Sequence, residues 1–430
     1  MKTKRERPFV SQLVSDTKIP RMFKIKQHFP RPKINIEEIP SIINQQLSAD
    51  KFTSKIKPNM RIAITAGSRG VANVALITKS IADFVKSKGA FPFVVPSMGS
   101  HGGATAEGQR EILEGYGITE DYVGCPIISS MEVKNIGKNE EGGDVCIDKH
   151  AAEADGIIVS CRIKPHTAFR GPYESGIMKM MAIGLGKQYG AEVCHAEGFK
   201  NMAKNVPLFG RAIIKHAPIL FAVATIENAF DETCKIVSVN SDEIAEKEPP
   251  LLKEAFSYMP RILVDKCDVL IVDQIGKNFS GDGMDPNITG TFCTPYATGG
   301  IKSQRVCVLD LSPETHGNAI GLGYSSATTK RVFDQLYLSS MYPNAITCTV
   351  LGGVRIPIVM ESDKEAIQVC IRTCNEIDKE NPYIVRIPNS LHIEHIMLSE
   401  AYYDKVKDMP NITIESEPEY LDFNENGDLW

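Results

Sequence analysis

Tryptophan is almost missing from this 430-residue chain: the only one, Trp430, is the last residue. The 48 basic side chains are interspersed with 53 acidic ones, for a net charge of −5 and no long run of either sign. A nucleic-acid groove needs clustered Lys and Arg with aromatics between them, so nucleic acid is not an expected partner. Paired cysteines are also missing. The eleven thiols, from Cys125 to Cys374, stand singly with no C-x-x-C, which argues against a disulfide framework or a thiolate zinc site. They read as small buried hydrophobes. Behind the basic start Met-Lys-Thr-Lys-Arg there is no apolar stretch of the kind a signal peptide carries. No run is long enough to span a bilayer. A cytoplasmic setting without a membrane partner is the expectation. H-E-x-x-H, G-x-S-x-G and acidic metal-binding clusters are absent too, so neither a zincin nor a serine hydrolase is indicated.

What the chain does have is alternation. Strand-like runs at 61–65, 91–96, 156–161 and 219–226 are separated by stretches of helical spacing at 73–88 and 106–114, with Thr105 as an N-cap. A helix is expected over 241–256. The pattern restarts at Pro260, with a buried strand at 267–274, strands at 306–311 and 346–351, and helices near 328–337 and 363–378. Repeated strand–helix units mean an α/β protein with mostly parallel sheets flanked by helices. At this length two domains are expected: residues 1–260 with 391–430 returning to them, and 261–390. The active site is expected in the cleft between the domains.

Chemistry gathers at strand ends. Thr65-Ala-Gly-Ser-Arg-Gly70, Ser97-Met-Gly-Ser-His-Gly-Gly103 and Asp273-Gln-Ile-Gly-Lys-Asn278 are glycine-rich turns that present Arg69, His101 and Lys277. Such turns suit anions, because backbone and helix N–H groups approach the ligand closely. Ordinary strand–helix turns also contain glycine, so no single one is decisive. The densest stretch, Arg162 to Lys200, holds His166 in a strand-end Lys-Pro-His, Lys179 among apolar and small residues, and His195 on an expected helix. His101 and His166 are the natural general acid–base pair, although His166 could simply bond within its own turn. An isolated ligand histidine such as His195 makes a poor metal site by itself.

In chain order these motifs resemble the nickel-pincer lactate racemase family, racemases and epimerases of hydroxy acids. The resemblance runs from about residue 60 to the end and is most specific in Arg162–Gly198. It implies that His101 and His166 are catalytic, that Arg69 and Ser175 bind the cofactor, and that Lys179 carries it covalently. His195, sixteen residues after Lys179, would bind nickel. The implied cofactor is pyridinium-3,5-bisthiocarboxylic acid mononucleotide, the nickel-pincer nucleotide, supplied by cofactor-biosynthesis proteins. The implied reaction is proton-coupled hydride transfer that inverts a hydroxyl-bearing carbon. Departures fall near the cofactor and in the substrate pocket. The family's Asp before the first arginine is Ala66, its Gln and Lys correspond to Gly290 and Cys293, and its substrate tryptophan has no counterpart. A substrate larger than lactate, a hydroxy acid or sugar acid, is therefore expected, with Lys277 and Asp285 as substitute contacts. Lys187 is a rival attachment point. Two other readings stay open: a nucleotide- or sugar-phosphate-dependent enzyme without nickel, and a non-catalytic scaffold. The sequence does not specify whether the chain forms a homo-oligomer.

Overall fold

The computed structural model describes residues 8–67 and 70–430. The backbone gathers into two units, Pro30–Met259 and the residues up to Phe29 together with Pro260–Trp430.

In the first unit five strands lie in the order Phe91–Pro96, Arg61–Ala66, Gly156–Arg162, Ile219–Glu227, Thr233–Asn240. Neighbours are parallel except the last pair, which is antiparallel. These strands read as nearly continuous Ile, Val and Ala because both faces are covered. Side chains alternate across the sheet. Ile62, Ile64, Val94 and Ile158 join the core under the helices Ile39–Leu47 and Val74–Ser87. Ala63, Val95, Ile157 and Val159 join the opposite core, with Ile177, Met178, Met181 and Leu185. The strand order reverses between Arg61–Ala66 and Gly156–Arg162, and such a switch point opens a crevice at the carboxyl ends of the strands. The expected elements from 61 to 115 are present nearly residue for residue. Thr105 caps Ala106–Gly115 by accepting from the Gly108 amide.

The second unit holds an eight-stranded sheet in which Lys266–Ile275 is central, flanked by Lys302–Leu311 and Ile384–Ile387, both parallel to it. The segment after 391 belongs here, unlike its placement from sequence. His395–Ser399 pairs antiparallel with Ile384–Ile387 and with Met22–Gln27, and Ile412–Ile414 extends the same edge. Both chain termini thus complete this sheet, through pairings hundreds of residues apart that no local pattern reports. The strand expected at 346–351 is absent. Leu338–Thr347 is helical, and the sheet position beside Ala327–Thr329 is filled by Ile358–Met360. Ile346 and Leu351, β-branched or apolar and so strand-like in sequence, are exposed.

Candidate active site

The carboxyl edge of the first sheet carries the turn after Arg61–Ala66, the His101 turn, and the long connection after Gly156–Arg162. Arg69 lies outside the described residues. The described residues on either side of it are held in place. Gly67 packs on Met180, where a Cβ would come within 3.1 Å of the methyl group, and the Ala72 amide donates to Glu227 Oε1 at 2.6 Å. Glu227, at the end of its strand, also pairs with Arg162 at the end of the neighbouring strand. The ion pair is largely buried, so it clamps two strand ends and one loop together.

The His166 loop is closed by a two-residue bridge. Lys164 N donates to Ser175 O at 2.9 Å, and Ser175 N returns a bond to Lys164 O at 3.2 Å. Inside the loop Glu174 is buried and accepts from the amides of His166, 2.7 Å, and Gly171, 3.2 Å. Burial raises its carboxyl, against those amides and Arg170. The His166 ring packs on Phe169 with centroids 4.4 Å apart. Its Nδ1 accepts from the Ala168 amide at 3.0 Å. A nitrogen that accepts carries no proton, so the neutral ring holds its proton on Nε2.

Lys179 follows at once. Glu248, from the helix Ile244–Tyr258, is fully buried and accepts from the Met178 amide at 2.9 Å. A Cβ at Gly176 would collide with Glu248 Oε1, so a larger residue there would have to displace that buried carboxyl. Burial pushes the Glu248 carboxyl up to about 7, against the Met178 and Ile177 amides. From Met180 to Leu185 the chain is π-helical, a wider turn found often at functional sites. Lys187 then takes φ +54°, and a separate helix, Lys187–His195, runs on. In one straight α-helix a spacing of sixteen residues would put Lys179 and His195 on nearly opposite faces. The π segment and the left-handed residue redirect the chain instead, and the Lys179 charge acts on both His195 and Cys194.

His195 is half-buried. Its Nδ1 faces the Ala191 carbonyl at 2.6 Å, so Nδ1 carries the proton and Nε2 the lone pair. Burial lowers its pKa, partly offset by the Ala191 bond, and the Lys179 charge lowers it further. A neutral imidazole with Nε2 unprotonated is the state a metal ligand requires. Phe199 lies between the two histidines, 5.7 Å from the His195 ring and 6.5 Å from the His166 ring, centroid to centroid. The His101 turn rests on the same segment. Gly99 N donates to Gly184 O at 3.3 Å, and a Cβ at Gly99 would touch Ile183 and Ala191. Thus Lys179, His166, His195 and the His101 turn gather at one strand edge.

Lys187 is placed differently from an attachment point. It is fully buried, with Nζ 2.5 Å from Pro96 O, 3.1 Å from Asp148 Oδ2 and 3.3 Å from Gln109 Oε1. Lys277 and Asp285 belong to the second unit. Lys277 Nζ donates to Gly281 O at 2.9 Å, and Asp285 caps the short helix Pro286–Thr289 through the Asn287 amide. The sequence reading missed Glu174, Glu227 and Glu248. Each is a buried acid bonded to backbone or arginine, and only its company of glycines and amides, visible in three dimensions, marks it.

Among the described residues no three His, Cys, Asp or Glu side chains form a set able to hold a metal ion. A metal at His195 would take its other donors from a bound group. Lys179 and His195 fit such a group: an amine and a neutral imidazole within electrostatic reach of one another.

The lactate racemase N-terminal domain matches residues 10–205. No curated relative matches by sequence. Among solved structures, the lactate racemase apoprotein from Thermoanaerobacterium thermosaccharolyticum is similar in fold, with a TM-score of 0.51, 14% identity, and coverage of 85% of this chain and 94% of that one. The region that holds Lys179, His166 and His195 lies inside the matched segment, and the match supports an assignment of residues 10–205 as a lactate racemase-like N-terminal domain.

Proposed function

We propose that this chain is a nickel-pincer-dependent racemase or epimerase that inverts the hydroxyl-bearing carbon of a hydroxy acid or sugar acid. The observation that supports it most is the pairing of Lys179 with a neutral His195 whose Nε2 is the unprotonated nitrogen. In this reading Lys179 holds the cofactor covalently, His195 is the protein ligand to nickel, and Arg69 and Ser175 contact the nucleotide. When bound, the group supplies a hydride acceptor beside the substrate carbon.

The chain's own residues then handle the proton. His166 starts with its proton on Nε2 and so begins as donor to the substrate oxygen. His101 is the complementary acceptor. A second proton on His166 would have to enter at Nδ1, and the Ala168 amide must release that nitrogen first. The buried Glu174 holds the loop while this happens. Gly290 and Cys293 stand where the family carries Gln and Lys, which removes a charge from those positions and supports a substrate other than lactate, a larger hydroxy acid or sugar acid.

The test is intact mass and nickel content of protein made together with the cofactor's biosynthetic enzymes. An adduct on Lys179 with bound nickel is expected, lost in Lys179→Ala. His195→Ala should retain far less nickel than His166→Ala. An adduct that survives in Lys179→Ala, or equal nickel loss in the two histidine variants, would overturn these roles. An unmodified, metal-free chain would favour the nucleotide- or sugar-phosphate-dependent reading.

A further inference from the structure

The glutamine at position 109 lies on the helix after the His101 turn and is completely buried. Its amide faces two ways. Nε2 donates to Gly99 O at 2.8 Å and to His101 O at 3.2 Å. Oε1 accepts from Lys187 Nζ at 3.3 Å, and the same ammonium reaches Asp148 and the Pro96 carbonyl at the foot of the turn. Lys187 is the left-handed residue at which the π segment after Lys179 gives way to the helix of His195.

We propose that Gln109, anchored by Lys187, is the positioning residue that holds the His101 turn in register with the segment carrying Lys179 and His195. The inference deepens the functional reading above and rests on it for what His101 does there. Three features support it. First, the turn needs an external brace: Gly99, Gly102 and Gly103 all take positive φ, conformations that glycine adopts at the cost of the greatest backbone freedom. Second, the brace is directional. A glutamine donates through one atom and accepts through another, so it can join carbonyls on one side to an ammonium on the other, which neither a glutamate nor a leucine can do. Third, the contacts are dry. A buried amide that lost its partners would pay the full desolvation penalty, so the network favours a single arrangement. Thr105 adds a local tie, its hydroxyl donating to Gly102 O at 3.1 Å, whereas Gln109 links the turn's Gly99 and His101 carbonyls on to Lys187.

Two substitutions separate positioning from general support of the fold. Gln109→Glu keeps an acceptor for Lys187 and loses the donor to the two carbonyls. Gln109→Leu loses both. Hydrogen exchange followed by mass spectrometry, and labelling of histidines with diethyl pyrocarbonate, read the outcome without needing a substrate. In both variants peptides covering 97–104 are expected to exchange about tenfold faster or more, and His101 to label several-fold faster. His166 labelling, and exchange in the strands Gly156–Arg162 and Ile219–Glu227, should stay as in the wild type. The Lys179 adduct should still form. Unchanged exchange and His101 labelling in Gln109→Glu would overturn the proposal, and so would acceleration spread evenly over the sheet. If the turn loosens as expected while no adduct forms in any variant, the brace stands and the nickel-pincer reading fails.

Discussion

The two sheets of this protein each end in glycine-rich turns bearing charged side chains, yet they use those side chains differently. In the first unit His195 bonds its own helix through Nδ1, which leaves Nε2 as the unprotonated nitrogen, while buried acids such as Glu174 and Glu248 organise the surrounding amides. In the second unit Lys277 donates to a carbonyl four residues on, and Asp285 caps the helix that follows it. The difference shows what a strand-end motif can and cannot report. Residue type and spacing say that a charge is present. Where the local backbone sends its hydrogen bonds decides whether that charge is available for chemistry.

The sharpest way to break the comparison lies within the first unit, at the two lysines eight residues apart. Lys179 is half-buried, whereas Lys187 is fully buried against Asp148. Burial lowers the Lys187 pKa, partly offset by Asp148. Removing one partner of such a pair leaves the other charge buried alone, at a cost of about 3–5 kcal/mol. Lys187→Met should therefore lower the thermal midpoint by roughly 10 °C, and adding Asp148→Asn should recover much of that. Lys179→Met should change the midpoint little. Equal midpoints for the two methionine variants would remove the distinction drawn between the lysines.

A smaller effect tests the buried acids. The folded-state value of about 7 for Glu248 lies above the ordinary glutamate value of 4.5. Between those values the native state holds a proton that the unfolded chain has released. The contribution is therefore fully present below about pH 4.5 and is lost as the pH rises through 7. From the size of the shift the change is about 3 kcal/mol. Glu248→Gln should flatten that portion of the stability curve, measured by urea unfolding at pH 5 and pH 7.5. Parallel curves for the two proteins would show that Glu248 is already ionised in the fold.

Much of the first unit was legible in the sequence because its signals are local. The strands at 61 and 91, the helix between them and the Thr105 cap follow from short-range pattern, and the Lys179–His195 pairing was legible only through the family resemblance. What stayed hidden depends on distance. Gln109 and Lys187 are 78 positions apart, Met178 and Glu248 are 70, and Arg162 and Glu227 are 65. The π segment Met-Met-Ala-Ile-Gly-Leu has the composition of ordinary helix, and nothing in its residue types announces the wider turn. The return of residues 391–430 to the second sheet was hidden for the same reason: the partners of His395–Ser399 include Met22–Gln27, at the far end of the chain.

The mildest test addresses the second unit. Asp285 Oδ1 accepts from both the amide and the side chain of Asn287, each at 2.9 Å, and the residue is buried. That geometry needs an acceptor, and a charge is incidental to it. Asp285→Asn should thus be nearly neutral for stability, because asparagine caps as well as aspartate, whereas Asp285→Ala should cost about 1 kcal/mol. Neither change should alter nickel content or the Lys179 adduct. Denaturation midpoints and metal analysis of the two variants decide it. If Asp285→Asn keeps full stability yet abolishes turnover once a substrate is in hand, the carboxylate does chemistry that its capping bonds conceal. The contrast between the two sheet edges would then be one of degree, with a single oxygen of Asp285 holding the helix and the other serving the substrate.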